Sequence, residues 1–418
     1  MSDAYQVSAA TGQQRPMTPQ PRGWVLRHGA FYWVLQRMRD AIRIGILYST
    51  VGAYGAMGRD CRDGAEFAFE TLAAEGALPF ALRPIFADPE GEPSRYIDLA
   101  RGLLREEGCR HIVGTITSAA RKDVIPLVEK HDGLLWYMCP YEGFEANKNV
   151  IYTGGCPNQH LLPLFDYLLP RHGKRVYLLG ANYVWGWEMN RLARERIGAA
   201  KGEIVGERCL PLEETDVERL IADVERQRPD FVLNNLIGPS SYAFLAAFKA
   251  LGARNPAFAP ERCPVVSCDL TEAEFGAIGA DVATGHLSAA AYFDSLATDE
   301  NRAFKQRVAA RFGADRVISS PFAGAFTAVR LCAEAIAQAA TDDPVAVREA
   351  LYAGPHETVQ GALTIDPRTN HAALPFHLGR ITAAGGFDII ASKPAVAADP
   401  YLTGPQSRAD GARLRLVS

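Results

Sequence analysis

Ser118, Cys139, His111 and His131 are the residues whose types allow nucleophilic catalysis. A serine nucleophile on an α/β scaffold sits in a G-x-S-x-G turn that exposes its hydroxyl at a strand end. Ser118 lies in GTITSAARK and lacks that frame. Cys139, in WYMCP, has no charged neighbour to hold a thiolate. His131, in EKHDG, sits where a cation favourably closes a helix. Gly52, Gly55 and Gly58 stand between a strand and a helix, but their spacing is not G-x-G-x-x-G and no Lys-Ser/Thr pair follows, so the stretch reads as a plain βα turn. The eight cysteines, at 61, 109, 139, 156, 209, 263, 268 and 332, form no C-x-x-C pair and have no histidine at zinc-ligand spacing. No catalysis, no metal and no cofactor is expected.

Binding of a small polar molecule suits the same residues better. The apolar run HIVGTI stops at Ile116, so Thr117 or Ser118 caps the helix that follows and places a hydroxyl and free N–H groups at its mouth. Tyr137 ends the strand LLWY, and Asn182-Tyr183-Val184-Trp185 follows the strand RVYLLGA. Aromatic side chains at strand ends give a cleft apolar walls together with phenol and indole hydrogen-bonding edges.

The elements that must position these groups alternate short β-branched runs with amphipathic stretches, the pattern of βα units around parallel sheets. Strands are predicted at 42–48, 82–88, 111–116, 133–139 and 149–155, with helices at 62–76, 94–108 and from Ser118. After Asn158 the same order begins again, with strands at 175–181, 203–212, 231–237 and 264–270. The expected fold is therefore α/β, with two doubly wound parallel-sheet lobes. SAAAYF (288–293) reads as a return into the first lobe, and 321–340 as a long helix there. The expected lobes are 42–157 plus 290–357, and 158–289 plus 358–402, with a tail at 403–418. Such sheets bind ligands beyond the carboxyl ends of their strands, so two facing sheets enclose a cleft.

Length and charge agree with this. A chain of 418 residues with 48% hydrophobic residues and a net charge of −4 has apolar surface for two cores and no excess of Lys and Arg to capture nucleic acid or an anionic membrane. Residues 1–41 open with a Gln-, Pro- and Ser-containing stretch, and the apolar segment WVLRHGAFYWVLQRMRD is too short and too charged to span a bilayer. It reads as a docking helix, or as sequence upstream of a true start at Met38. With no credible signal peptide, and with cysteines scattered through apolar runs in the manner of buried thiols, a cytoplasmic location is expected.

IVGTITSAARKDVIPLVE, LLWYMCPYEGFE, NVIYTGGCPNQ, LLGANYVW and SCDLTEAE together resemble the amide- and urea-binding branch of the type I periplasmic-binding-protein family, over about Ile42 to Tyr401. Within it the likeness is to amide-responsive regulators of aliphatic amidase expression. The resemblance implies two α/β lobes joined by three crossovers, closing on a small amide-like ligand. It places Ser118, Tyr137 and Tyr183 at pocket positions. It also sets Ile116 where those sensors have tyrosine, Cys139 where they have threonine, and Trp185 where they have another tyrosine. The implied function is a ligand sensor acting through a partner protein of the antiterminator type, with no direct nucleic-acid or membrane contact and with scope for a homo-oligomer. The alternative is the binding component of an importer for amides, urea or short-chain amino acids.

Overall fold

Ile44, Ile46 and Leu47 are buried because β1 (Ile42–Leu47) runs through the middle of a sheet covered on both faces. The computed structural model describes residues 41–279, 281–404 and 415–416; the expected N-terminal extension, its docking helix and most of the tail lie outside the described residues. In the first lobe, β1, β2 (Leu82–Ala87), β3 (His111–Gly114), β4 (Leu134–Tyr137) and β5 (Val150–Tyr152) pair in parallel in the order β5-β4-β3-β1-β2. They are linked by α1 (Gly55–Glu75), α2 (Arg95–Arg105) and α3 (Ser118–Lys130).

The second lobe opens with α4 (Leu161–His172) and repeats the winding. Its parallel strands are β6 (Arg175–Ala181), β7 (Glu203–Leu210), β8 (Phe231–Asn235), β9 (Val265–Ser267) and β10 (Leu287–Ala290), in the order β7-β6-β8-β9-β10. Between them run α5 (Val184–Ala199), α6 (Glu218–Gln227), α7 (Pro239–Arg254) and the short α8 (Phe275–Ile278). The chain then returns to the first lobe as α9 (Asp299–Phe312), α10 (Ser320–Ala339) and α11 (Pro344–Leu351), where Phe304, Val308, Phe322 and Val329 join the core around β1. A hairpin, β11 (His356–Thr358) and β12 (Gly361–Leu363), precedes β13 (Ile365–Asp366) and β14 (His371–Ala372). β15 (Leu374–Ile381) and β16 (Phe387–Val396) then add antiparallel to the second sheet beside β10.

The structure departs from the sequence expectations in four places. Helix α1 begins at Gly55 rather than residue 62, because Gly58 brings its first turn against the end of β1: a Cβ there would lie 1.6 Å from the Ser49 carbonyl oxygen. The glycine loop is thus helix start and close approach. Residues 288–290 belong to β10 of the second sheet, so the return crossing begins only at Ala291. The third crossing falls at Ala373 rather than near residue 358, since β13 pairs with β14 and β14 lies beside β5, His371 opposite Tyr152. Finally β17 (Arg415–Leu416), placed in the tail by sequence, pairs with β16.

The lobes face each other through the carboxyl ends of their parallel strands. The Tyr54 and Tyr183 hydroxyls hydrogen-bond across the gap, and the Phe144 N–H donates to the Pro400 carbonyl at 2.8 Å. Arg191 of α5 lies 4.8 Å over the Phe144 ring. Gly238, with φ of 54°, approaches the opposite lobe so closely that an added Cβ would stand 2.2 Å from the Ala53 carbonyl oxygen.

Gly238→Ala is therefore expected to strain a positive-φ backbone (φ 54°, ψ −132°) by about 1–3 kcal/mol and to force the lobes apart. Small-angle scattering should show a larger radius of gyration with far-ultraviolet dichroism unchanged. An unaltered radius would mean that the approach at Ala53 does not limit closure.

Candidate functional site

Six strand ends supply every residue around the cavity between the lobes. Tyr54 and Met57 follow β1, Ile116 and Ser118 follow β3, and Cys139 and Pro140 follow β4. From the second lobe come Tyr183 and Trp185 after β6, Ile237 after β8, and Asp269 after β9. They enclose about 20 Å³ of room for water-sized groups. A second chamber of about 40 Å³ shares Met57, Cys139, Pro140 and Asp269 with the first and runs toward the hinge, where Gly155, His160, Ala291 and Leu374 of the three crossings wall it.

Five of the seven sequence-nominated residues, Ile116, Ser118, Cys139, Tyr183 and Trp185, meet at the inter-lobe cavity. Thr117 and Tyr137 stand behind it. The Thr117 hydroxyl accepts the Ala120 N–H at 3.0 Å and is the cap of α3, which releases Ser118 from that task. Tyr137 is fully buried and donates to the Ile116 carbonyl at 2.8 Å, fixing the backbone that presents Ser118. Sequence reading missed Tyr54, Met57, Pro140, Ile237 and Asp269. The rule that ligands sit beyond strand carboxyl ends would have found them, since each follows a parallel strand.

Ser118 is held rather than loose: its hydroxyl donates to the Glu142 carboxylate and accepts from Arg121 Nη1 at 3.3 Å. Arg121 is wholly buried, 4.6 Å from the rings of both Tyr137 and Tyr141, and paired with Glu142 and Glu145. Glu145 is pushed down to about 2 against the desolvation of its site, by the Arg121 and Lys122 cations. His111, a candidate base on sequence grounds, sits at the opposite end of β3 from Ser118 and takes a hydrogen bond from Trp136 Nε1 at 3.3 Å. His111 is therefore out of reach as a base for Ser118.

Two polar groups at the cavity lack what they need. Trp185 is 4% exposed and its Nε1 has no hydrogen-bond partner, a state that costs about 1–3 kcal/mol. Asp269, half-buried at the wall, has its carboxyl raised to about 7 by desolvation, against the opposing Ser267 hydroxyl. Glu272 and Glu274, in the same stretch, are likewise raised by burial to about 8. The site therefore offers one donor without an acceptor and a carboxyl poised between its charged and neutral forms.

Residues 42–407 match the family described as periplasmic binding protein domain. The chain belongs to this family. As a periplasmic binding protein it shares its fold with a solute-binding protein of an ABC transporter from Rhodopseudomonas palustris, solved with p-hydroxybenzoic acid (TM-score 0.77, 19% identity, 87% of this chain and 99% of that one). It is similar also to an amino acid ABC transporter substrate-binding protein from Pseudomonas fluorescens (TM-score 0.74, 21% identity, 87% and 98%). A third is a branched-chain amino acid transporter substrate-binding protein from Streptococcus pneumoniae, solved with isoleucine (TM-score 0.72, 17% identity, 85% and 99%). A curated relative, limonene hydroxylase of Geobacillus stearothermophilus, is 32% identical over 127 residues, 30% of this chain. The chain spans only 23% of that relative's length, so its activity is not carried over.

Membership corrects the expected cytoplasmic location, since the matched family is that of the periplasmic binding proteins. The cysteine argument failed for a physical reason. All eight thiols are free, but seven are buried, and burial raises Cys61, Cys268 and Cys332 well above the usual thiol range. A thiol shielded in this way yields little thiolate and reacts slowly, so its being free does not report the compartment.

The raised carboxyls make stability fall as pH rises. Each folded-state pKa exceeds that of the unfolded chain, which sheds its proton first, so stability is lost between about pH 4 and the folded values of about 7 for Asp269 and about 8 for Glu272 and Glu274. Five histidines that burial lowers to about 4 act in the opposite sense below about pH 6.5, so the carboxyl contribution is read by difference. Between pH 5 and pH 8 in urea unfolding, Asp269→Asn should lose less stability, or gain more, than the unsubstituted protein. An equal change in the variant would show Asp269 already ionised at pH 5.

Proposed function

We propose that this periplasmic binding protein is the ligand-binding component of an ABC importer and that its ligand is a small neutral amide or urea-like molecule. Import is the role of the similar solute-binding proteins, and in this reading the partner is a membrane permease, in place of an antiterminator-type regulator without membrane contact. The regulatory reading has no feature of the fold that favours it.

Ligand chemistry follows from the cavity. No Lys or Arg lines either chamber, whereas Asp269 lines both. A carboxylate ligand such as the hydroxybenzoate of the Rhodopseudomonas protein would meet a carboxyl with no cation beside it. An amide offers the complementary pair: a carbonyl oxygen to accept from an indole N–H, and an N–H to donate to a carboxylate. The observation that carries the reading is the buried Trp185 Nε1, which has no acceptor within the protein. Closure is then population shift, because the ligand binds best when Ser118 and Cys139 of one lobe and Trp185 and Asp269 of the other reach it together.

Trp185→Phe separates this from a packing role. It keeps an aromatic wall and removes the orphaned donor, so folding stability should stay level or rise. Affinity for acetamide, propionamide or urea, by calorimetric titration, should fall roughly five- to 150-fold. Unchanged affinity would show that the indole N–H does not meet the ligand.

A further inference from the structure

The hinge-side chamber is lined by three more groups without a partner: His160 Nδ1 and Gln360 Oε1, which serve as acceptors, and the Thr271 hydroxyl, which can donate or accept. His160 lies in the first crossing with Nε2 3.1 Å from the Tyr141 carbonyl oxygen, which can only accept. Nε2 therefore carries the ring proton. Burial lowers this histidine to about 4, so the ring is neutral and Nδ1 is left as a lone pair, without a partner. Gln360, from the β11–β12 turn, lines the same chamber with its Oε1 also unpartnered. The remaining wall is largely apolar, including Met57, Met138 and Leu374, and gives neither acceptor relief.

Size links this chamber to the first. A water-sized group takes roughly 10–15 Å³ on this measure. The inter-lobe cavity of about 20 Å³ thus admits one or two such groups and the chamber of about 40 Å³ about three. Even a short amide must use both.

We infer that the hinge-side chamber is a second subsite that holds a hydrogen-bond-donating substituent of the ligand against His160 and Gln360, so that the preferred ligand is a short amide bearing a hydroxyl or amino group rather than a plain alkyl amide. The inference rests on the amide reading above and narrows it. It also explains how occupancy reaches the hinge: the chamber is walled by all three crossings, so a ligand group seated there touches the segments that must bend.

Glycolamide, glycinamide and propionamide test it: titrated at about pH 9, where the glycinamide amine is uncharged, all three have the same number of non-hydrogen atoms and differ only in the terminal group. In calorimetric titrations of the full chain, glycolamide and glycinamide should bind roughly five- to 150-fold more tightly than propionamide. Gln360→Met, which keeps the side chain's shape, should shrink that preference with propionamide affinity unchanged, and His160→Phe should shrink it further. Equal affinities for the three compounds would overturn the inference and leave the amide reading standing, as would a preference that survives both substitutions. Binding of none of the three would overturn both.

Discussion

A single buried guanidinium organises the first-lobe wall of the site. Arg121 lies between the Tyr137 and Tyr141 rings with Glu142 and Glu145 as counter-charges, and removing one partner of such a pair costs about 3–5 kcal/mol because the other charge is stranded. Its contacts extend in three directions. Through Glu142 it fixes the Ser118 hydroxyl. Through Glu145 it ties down Tyr152 of β5, whose hydroxyl donates to that carboxylate at 2.8 Å. Through Tyr141 it reaches the hinge, since the Tyr141 carbonyl accepts from His160. Ligand pocket, sheet edge and crossing are thereby referred to one cation that water does not reach.

The second lobe works by the opposite means. Its contribution is incompletely satisfied: an indole donor with no acceptor and a carboxyl raised by desolvation. A rigid, saturated wall facing an unsaturated one is a sensible division for a hinged protein. The first defines position, and the second favours a bound polar molecule that supplies the missing partners. Selectivity then comes from the count of donors and acceptors, because isosteres differing by one polar group are separated strongly only where a buried partner would otherwise go without.

Much of this was legible in the sequence. Two rounds of strand and helix, the parallel sheets and most site residues follow from β-branched runs and from what stands just after them. Thr117 and Ser118 were equivalent as caps on paper, and only the Ala120 N–H contact assigns the cap to Thr117 and frees Ser118. The lobe boundary at Ala373 was hidden because β13 and β14 are two residues each, too short for any alternation to register. Asp269 was missed because the predicted strand ran on to residue 270 and enclosed it, whereas β9 ends at Ser267 and leaves Asp269 beyond the carboxyl end. His160 and Gln360 gave no signal at all, since their significance depends on crossings far apart in the chain.

The pairing of β14 with β5 bears on how the chain is made. Tyr141 and His371, hydrogen-bonded and stacked in the finished lobe, are 230 residues apart in sequence. The open edge of β5 finds its neighbour only after the second lobe's parallel strands, all of which lie between the two in sequence. An exposed strand edge is a template for pairing with another chain. The second lobe's parallel core can thus be complete before the first sheet receives its last neighbour.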